Sequence, residues 1–154
     1  MSELTTNVRV IAASDKQIDD LVPLFDSYRQ FYKQDSDPGQ ARRFLEDRLR
    51  NEESVLFLAY EHDTAVGFTQ LYPSFSSVSL KKLWILNDLY VIPEMRGRRI
   101  GEMLIGKAAE LSRSTGGKGL ILSTSVHNHS AQTLYERVGF EKDLEFYHYF
   151  MPTV

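Results

Sequence analysis

The sequence predicts an α/β fold in which one mixed β-sheet is flanked by about four helices. Apolar runs of strand length alternate along the chain with amphipathic stretches at helical spacing, in the order β, α, α, β, β, β, α, β, α, β, β. The chain has 154 residues, of which 42% are hydrophobic and 25% are charged. This size and this balance suit one domain, residues 1–154, with a buried core.

The first half of the chain carries the pattern for four strands and two helices. Val8 to Ala12 is a β-branched run, and Ser14 followed by Gln17 is a capping box that begins a helix. Pro23 lies inside the helical pattern, so a bend is expected near Leu21. A turn-rich loop then leads to the second helix. Further strands are predicted at Val55 to Tyr60, Ala65 to Tyr72 and Lys82 to Val91.

The second half alternates helices and strands. A helix is predicted from Arg99 to Ser114, because its apolar residues share one face. Leu120 to Val126 is the next strand, and either Asn128 or Ser130 caps a short helix that ends at Gly139. The last strands are predicted around Phe140 to Lys142 and Phe146 to Met151.

Composition excludes several classes of protein. The 18 basic and 21 acidic residues give a net charge of −3, which does not suit a general nucleic-acid surface. Cysteine is absent, so disulfides, thiolate metal ligands and a cysteine acyl-enzyme are ruled out. Met1 to Asn7 is polar and has no signal core, and the longest apolar run, Val55 to Tyr60, is too short to span a bilayer. We therefore expect a cytoplasmic protein that binds neither nucleic acid nor membrane.

The stretch from Leu86 to Gly101 has the pattern of a site for an anion. It combines a buried strand, a turn started by proline, three arginines and the beginning of a helix. Backbone N–H groups at a helix N-terminus have no partner inside the helix, so a diphosphate can accept several of them. Gly97 and Gly101 allow close approach to the backbone. A simple tight turn is an equally good interpretation of two glycines on their own.

Two longer motifs resemble those of the GNAT superfamily of acyl-CoA N-acyltransferases, and the resemblance covers essentially the whole chain. The first is Leu89-Tyr90-Val91-Ile92-Pro93-x-x-Arg96-Gly97 followed by Ile100-Gly101, and the second is Asn128-x-x-Ala131-x-x-Leu134-Tyr135-x-x-x-Gly139-Phe140. The phrases Phe31-Tyr32 and Asn87-Asp88-Leu89-Tyr90-Val91 are more particularly similar to the histone/polyamine-type amine acetyltransferases. The resemblance implies a mostly antiparallel sheet with a central splay, and acetyl-CoA as co-substrate.

The same resemblance implies where the co-substrate lies. The backbone from Arg96 to Gly101 would hold the CoA diphosphate, Leu89 and Val91 would offer main-chain groups to the pantetheine arm, and Asn128 would contact that arm. The superfamily usually has glycine where this chain has Arg99, whose guanidinium could instead contact a phosphate. The residues expected to bind the co-substrate are Leu89, Tyr90, Val91, Arg96, Gly97, Arg98, Arg99, Ile100, Gly101, Asn128, Ala131 and Tyr135.

Tyr135 and Asn87 are the residues that the resemblance places at the chemical step. The Tyr135 hydroxyl would protonate the departing thiolate, although periodicity alone makes Tyr135 an ordinary core-facing aromatic. Asn87 stands where several amine acetyltransferases have a glutamate base, and a carboxamide cannot take up the proton. Asp88 is the nearest acid, but strand alternation directs it to the other face unless the strand bulges.

An amine-binding pocket is the second part of the expected site. The aromatic residues Tyr28, Tyr32, Tyr72 and Trp84 could surround an ammonium through cation–π contacts, or could simply be core. Asp88 completes the set of expected substrate-binding residues. His127-x-His129 supplies two metal ligands without an evident third, so no metal is expected.

These observations lead to a hypothesis with alternatives. The expected activity is transfer of an acetyl group from acetyl-CoA to a primary amine of a small molecule, such as a polyamine or an amino acid, by direct attack in a ternary complex. The alternatives are a non-catalytic acyl-CoA-binding sensor and a protein or peptide N-acetyltransferase. The run from Phe146 to Phe150 is aromatic on both faces, which predicts a homodimer.

Overall fold

The computed structural model describes residues 7–154 and confirms the predicted α/β class. The polar segment that begins at Met1 lies almost wholly outside these residues. No helix between residues 7 and 154 is long and apolar enough to cross a bilayer. In chain order, the described elements are β1 (Val8–Ala12), α1 (Ile18–Phe31), α2 (Pro38–Arg50), β2 (Val55–Glu61), β3 (Thr64–Ser76), β4 (Lys81–Val91), α3 (Ile100–Ser114), β5 (Gly117–Ile121) and α4 (His129–Val138).

The sheet is mixed and mostly antiparallel, as predicted. Its strand order is β1-β2-β3-β4-β5, with antiparallel pairing from β1 to β4 and parallel pairing between β4 and β5. The last β4–β5 pair joins Ile85 to Ile121, whereas β4 continues to Val91. This early end of the pairing is the predicted splay, and it leaves the second half of β4 paired with β3 alone among the described strands.

The chain divides into two compact units. The first ends at Ser123 and contains the whole sheet together with α1, α2 and α3, and the second runs from Thr124 to Val154 and contains α4. In the first unit, β2 is buried on both faces. Leu56 and Leu58 pack with α1 and α2, so the alternate residues Phe57 and Ala59 face the other side. Each large apolar side chain buried in this way contributes about 1.5–3 kcal/mol.

Local sequence signals mark the ends of several helices, and the cap of α2 was not among those predicted. Ser14 and Gln17 form the capping box before α1, which continues through Pro23 without a break. Asp37 accepts the N–H of Gln40 and caps α2. In the second unit, Asn128 caps α4 and Gly139 ends it in the left-handed conformation. These caps satisfy backbone N–H groups at the beginning of each of these helices.

The strands predicted for the C-terminal residues are wrong. The structure has no regular secondary structure over residues 140–154, and the Asp143 carboxylate instead accepts the N–H groups of Glu145 and Phe146 in a tight turn. An alternating pattern forms a strand only when another strand supplies ladder hydrogen bonds, and no described strand pairs with this segment. The strand predicted over Leu120 to Val126 is also displaced, since β5 begins at Gly117 and ends at Ile121.

Candidate active site

The second half of β4 presents free main-chain groups at the splay. The N–H of Ile92 donates to the Val66 carbonyl on β3 at 2.9 Å. Because successive residues of a strand direct their N–H groups to opposite sides, the N–H groups of Leu89 and Val91 face away from β3. The Val91 carbonyl on that side accepts a hydrogen bond from Arg96 Nε at 2.9 Å. An extended ligand with amide groups can therefore pair with this edge.

The turn after β4 opens onto the N-terminus of α3. Gly97 has a φ of +81°, and a Cβ built there meets no atom within 4 Å, so the backbone is open to a ligand. Arg99 precedes α3 in the left-handed conformation, with a φ of +63°, and its side chain forms no hydrogen bond that caps the helix. The N–H groups of the first turn and the helix dipole suit an anion. The left-handed backbone also explains why glycine suits the position of Arg99.

The three arginines of the turn have different partners. Arg96 lies over the rings of Phe31 and Tyr90, 5.9 and 5.7 Å from their centroids. Arg98 forms an ion pair with Glu61 at 3.5 Å. Arg99 pairs with Glu102 at 3.6 Å, and its side chain is 71% exposed. Because an exposed pair is weak, the Arg99 guanidinium can turn towards a phosphate at little cost.

A β-bulge lies in the middle of β4. Gln70 on β3 pairs with Asp88, while the next residue, Leu71, pairs with Leu86, so Asn87 has no partner on β3. The extra residue shifts the alternation of the strand. Asp88 was expected to face an amine only if this strand bulges, and the structure contains such a bulge.

The bulge directs the Asp88 carboxylate into a polar group that is buried from solvent. Asp88 is 4% exposed, and its two carboxylate oxygens accept hydrogen bonds from Gln70 Nε2 at 2.7 Å and from Asn87 Nδ2 at 3.0 Å. The Tyr28 hydroxyl also hydrogen-bonds this carboxyl. Burial raises the pKa of Asp88, and the hydrogen bonds from Gln70, Tyr28 and Asn87 oppose that rise.

Two tyrosines, Tyr28 and Tyr72, interact with this carboxylate, and further tyrosine rings pack against Tyr28. Tyr28 contacts the ring of Tyr32 at 5.1 Å and that of Tyr90 at 6.2 Å. Tyr72, which is half-buried on β3, has its pKa raised to about 12 by burial and by the charge of Asp88. The structure thus brings together four of the five expected substrate-binding residues in one region, Tyr28, Tyr32, Tyr72 and Asp88.

Trp84 is not part of this cluster. Its side chain is 4% exposed, and its Nε1–H donates to Thr115 Oγ1 at the end of α3 at 2.9 Å. Trp84 and Leu86 precede the bulge, so they face the side of α3, whereas Asp88 and Tyr90 face α1. A regular strand would have placed all four on one face.

The second unit contains the two residues expected near the thioester. Asn128 Oδ1 accepts the N–H of Ala131 at 3.2 Å and the Ser130 hydroxyl at 3.3 Å. Tyr135 packs edge-to-face against Phe140, with ring centroids 5.7 Å apart, and its carbonyl accepts the Phe140 N–H at 2.9 Å. Both side chains are held by the cap and the end of α4.

The order of these elements and the two motifs can now be compared with known proteins. Residues 20–140 match the sequence profile of the Acetyltransferase (GNAT) family. The chain belongs to this family. An uncharacterised N-acetyltransferase of Bacillus subtilis (strain 168), YhfO, is 46% identical over 143 residues, which cover 93% of this chain and 95% of the relative. The crystal structure of a probable acetyltransferase is 47% identical and has a TM-score of 0.90, over 95% of this chain and 98% of that chain.

A further relative bears a substrate in its name. The aminoalkylphosphonate N-acetyltransferase of Salmonella typhimurium (strain LT2) is 31% identical over 85 residues, 55% of each chain. GNAT enzymes use acetyl-CoA as co-substrate, and the residues of this acetyltransferase fit it. The α3 N-terminus suits the diphosphate, and the free edge of β4 suits the amides of the pantetheine arm.

Gln70 is a site residue that the sequence analysis missed. It is fully buried beside Asp88, and its Oε1 accepts no hydrogen bond within the described structure. A signal was present, since Thr69 and Gln70 interrupt the otherwise apolar run from Ala65 to Tyr72. Only the register between β3 and β4 could show which residue it meets.

Proposed function

We propose that this acetyltransferase transfers an acetyl group from acetyl-CoA to a primary amine of a small molecule, by direct attack in a ternary complex. The observation that carries the proposal is the second half of β4. The same short segment offers N–H groups of Leu89 and Val91 at the splay and holds the Asp88 carboxylate among tyrosines. A thioester and an ammonium can therefore be bound by neighbouring residues of one strand.

Acetyl-CoA would be held through its diphosphate and its pantetheine arm. The backbone from Arg96 to Gly101 would bind the diphosphate, with help from the Arg98 and Arg99 guanidinium groups, and Ile100 would fix the first turn of α3. Leu89 and Val91 would pair with the arm through their main chain, and Tyr90 between them would hold this segment against β3. Asn128 and Ala131 would contact the arm from the start of α4. The open space at Gly97 and the N-terminus of α3 support this assignment.

Two side chains would act at the chemical step. The Tyr135 hydroxyl would donate a proton to the departing thiolate, a role that the second motif supports. Asn87 would orient its neighbour, because its Nδ2 donates to Asp88 Oδ1 at 3.0 Å. An N–H of Leu89 or Val91 would stabilise the oxyanion that forms on the thioester carbonyl.

The surroundings of the cluster favour a small amine over a protein. Asp26 is 6% exposed and accepts hydrogen bonds from Ser36 Oγ at 2.6 Å and from the Asp37 N–H at 2.8 Å. These bonds fix the loop between α1 and α2 beside Tyr28 and Tyr32. A peptide substrate would need an open groove at this place, whereas a small amine would not. The name of the Salmonella relative also refers to a small amine.

The assay that tests the proposal measures CoA release with acetyl-CoA and a panel of polyamines, amino acids, aminoglycosides and lysine peptides. We expect turnover with a small amine, and Tyr135→Phe should lower kcat by about 10²-fold or more, since general acid catalysis contributes on that scale. The dissociation constant of acetyl-CoA, measured by calorimetry, should not change.

Tyr147→Phe is the matched control, because it removes the same hydroxyl from a tyrosine outside the residues assigned to acetyl-CoA and the amine. A wild-type protein that binds no acetyl-CoA would contradict the proposal. Binding without turnover on any amine would instead favour a sensor that holds acyl-CoA. Turnover on lysine peptides alone would favour a protein acetyltransferase.

The C-terminal segment supports a homodimer as part of the proposal. Phe146, Tyr147, Tyr149 and Phe150 are between 70% and 92% exposed, an apolar run that a second copy could cover with its own. A monomer by light scattering would contradict this. We also propose a cytoplasmic location, in keeping with a chain that has no cysteine.

A further inference from the structure

The Asp88 carboxylate is buried without a cation. It accepts hydrogen bonds from Gln70, Asn87 and Tyr28, all of which are neutral. No lysine, arginine or histidine of residues 7–154 forms an ion pair with it. Buried charges in proteins are normally paired with an opposite charge. The group therefore has the donors of a built site but lacks the positive charge.

The charged groups around Asp88 do not supply that charge. Arg48 of α2 is close enough to affect Tyr72, but its Nε bonds Glu53 Oε1 at 2.8 Å. Facing Asp88 are Tyr28 from α1, Gln70 and Tyr72 from β3, and Asn87 on β4 itself. None of these four is positively charged.

A hydrogen-bond donor is missing at the same place. Gln70 is 0% exposed, and while its Nε2 donates to Asp88, its Oε1 has no donor within the described residues. A buried carbonyl oxygen without a donor is uncommon in folded proteins. A ligand with several N–H donors and a positive charge would satisfy both Gln70 Oε1 and the carboxylate. A primary ammonium has these properties.

We propose that Asp88 and Gln70 bind the ammonium of the acceptor amine and that Asp88 takes up its proton. The inference rests on the proposed function. It assigns the general base to Asp88, because the carboxamide of Asn87 cannot take up a proton. The rings of Tyr28 and Tyr72 flank the site and favour a cation over a neutral group. The site therefore selects an unhindered primary alkylamine, whose ammonium form has three N–H donors, and not a tertiary or quaternary one.

The proton transfer converts the bound pair from ammonium and carboxylate to neutral amine and carboxylic acid. The amine lone pair then forms the C–N bond to the thioester carbonyl carbon, and the C–S bond breaks with its electrons on sulfur. Tyr135 protonates that thiolate, and the second proton lost by the nitrogen replaces the one that Tyr135 gave, so the products are amide and free thiol. Asp88 returns its proton to solvent when the products leave. Because burial raises its pKa, Asp88 is a better proton acceptor than an exposed carboxylate.

The test compares Asp88→Asn with Asp63→Asn, which removes the same charge from the exposed turn between β2 and β3. For the best amine of the panel, Asp88→Asn should lower kcat/KM by about 10²–10⁴-fold near neutral pH, as loss of a general base does. The loss should shrink by about tenfold per pH unit as pH rises towards the amine pKa of about 10.4, because free amine then replaces the base. Asp63→Asn should behave as wild type.

A second variant separates binding from proton transfer. Gln70→Met keeps the length of the side chain but removes both Oε1 and the Nε2 that donates to Asp88. The loss of the bond from Oε1 to the ammonium should raise KM for the amine by about tenfold, with a smaller change in kcat because the Asp88 carboxylate remains. A kcat/KM for Asp88→Asn within about threefold of wild type, at every pH, would overturn the role of Asp88.

Thermal shift with butylamine and with tetramethylammonium gives a readout that needs no turnover. Butylamine should raise the Tm of the wild type and of Asp63→Asn, but not that of Asp88→Asn, and tetramethylammonium should do so in none. If the wild type binds butylamine through Asp88 yet transfers no acetyl group, the proposed function fails and the ammonium site stands. Equal shifts in all three proteins would overturn the site itself.

Discussion

The two halves of β4 belong to one strand but have different surroundings. From Lys81 to Leu86 the strand lies between β3 and β5, and its buried Trp84 is tied to Thr115 of the α3 end. From Asn87 to Val91 the strand pairs with β3 alone among the described strands. The first half therefore has the contacts of a core strand, and the second half has unpaired main-chain groups and a buried acid.

The bulge at Asn87 separates the two halves. Side chains of a regular strand alternate between faces, so Trp84, Leu86 and Asp88 would all lie on one face without the extra residue. The structure instead places Asp88 next to Gln70 and Tyr28. One inserted residue thus gives a single strand a structural face on one side of the sheet and a polar site on the other. Bulges are frequent next to active sites for this reason.

Trp84→Ala is the change with the largest expected effect on stability. Removing a buried tryptophan leaves a cavity and removes the hydrogen bond to Thr115 Oγ1, which should lower the free energy of unfolding by about 3–5 kcal/mol in urea denaturation. The folded fraction should keep its kcat/KM, because Trp84 lies on the other face from Asp88. A loss of activity per folded molecule would contradict the separation of the two halves.

Phe75→Ala is the control for this experiment. Phe75 lies on β3 and is 73% exposed, so its truncation should change stability by no more than about 0.5 kcal/mol.

Gly67→Ala tests how tightly the second half of β4 is held against β3. Gly67 pairs with Val91, and a Cβ there would lie 2.8 Å from the Tyr90 carbonyl oxygen and 3.4 Å from Val91 Cα. Backbone atoms cannot move aside cheaply, so we expect a loss of about 1–3 kcal/mol in urea denaturation. The dissociation constant of acetyl-CoA, measured by calorimetry, should also rise because the edge at Leu89 and Val91 is displaced.

Gly119→Ala is the matched control on β5. A Cβ at Gly119 meets nothing within 4 Å, and its backbone is not in the left-handed region. The substitution should be neutral or stabilising by up to about 1 kcal/mol. Equal effects of the two alanines would mean that the approach of β3 to β4 does not determine the position of the edge.

The sequence predicted the regular parts of the fold because each one depends on local patterns. Caps such as Ser14 and Asn128, and the turn with Gly97, follow from the residue types alone. The bulge did not follow, since one extra residue leaves the apolar pattern of Lys82 to Val91 unchanged and depends on the register with β3. The Phe146 to Met151 pattern predicted a strand because alternation cannot show whether a partner strand is present.

The candidate site divides in the same way. Binding of the CoA diphosphate by the segment from Arg96 to Gly101 could be expected from the residues of that segment alone. The structure places the N-terminus of α3 at this segment, as such binding requires. The pairing of Asp88 with Gln70 joins residues 18 apart in sequence. The position of Trp84 depends on which side of the bulge it lies. Neither could be predicted without the register between β3 and β4.

The pH dependence of stability gives the smallest expected effect and tests the second half of β4 alone. The folded-state pKa of Asp88 is raised above its ordinary value of 3.8. The protonated carboxyl therefore contributes stability that is fully present below the unfolded-state pKa and is lost as pH rises through the folded-state pKa. Asp88→Asn, which is neutral throughout, should have a Tm close to that of the wild type near pH 3.8 and a higher one at neutral pH.

We expect that gain to be about 2–4 °C, the shift that about 1 kcal/mol produces in a domain of this size. Differential scanning calorimetry of both proteins from acid to neutral pH measures it. Trp84→Ala serves as the comparison, because Trp84 does not titrate and its loss of Tm should not vary with pH in this way. A lower Tm for Asp88→Asn at neutral pH would mean that the hydrogen bonds from Gln70, Asn87 and Tyr28 fully compensate the buried charge. In that case the second half of β4 would be stabilised by its acid, as the first half is by its tryptophan.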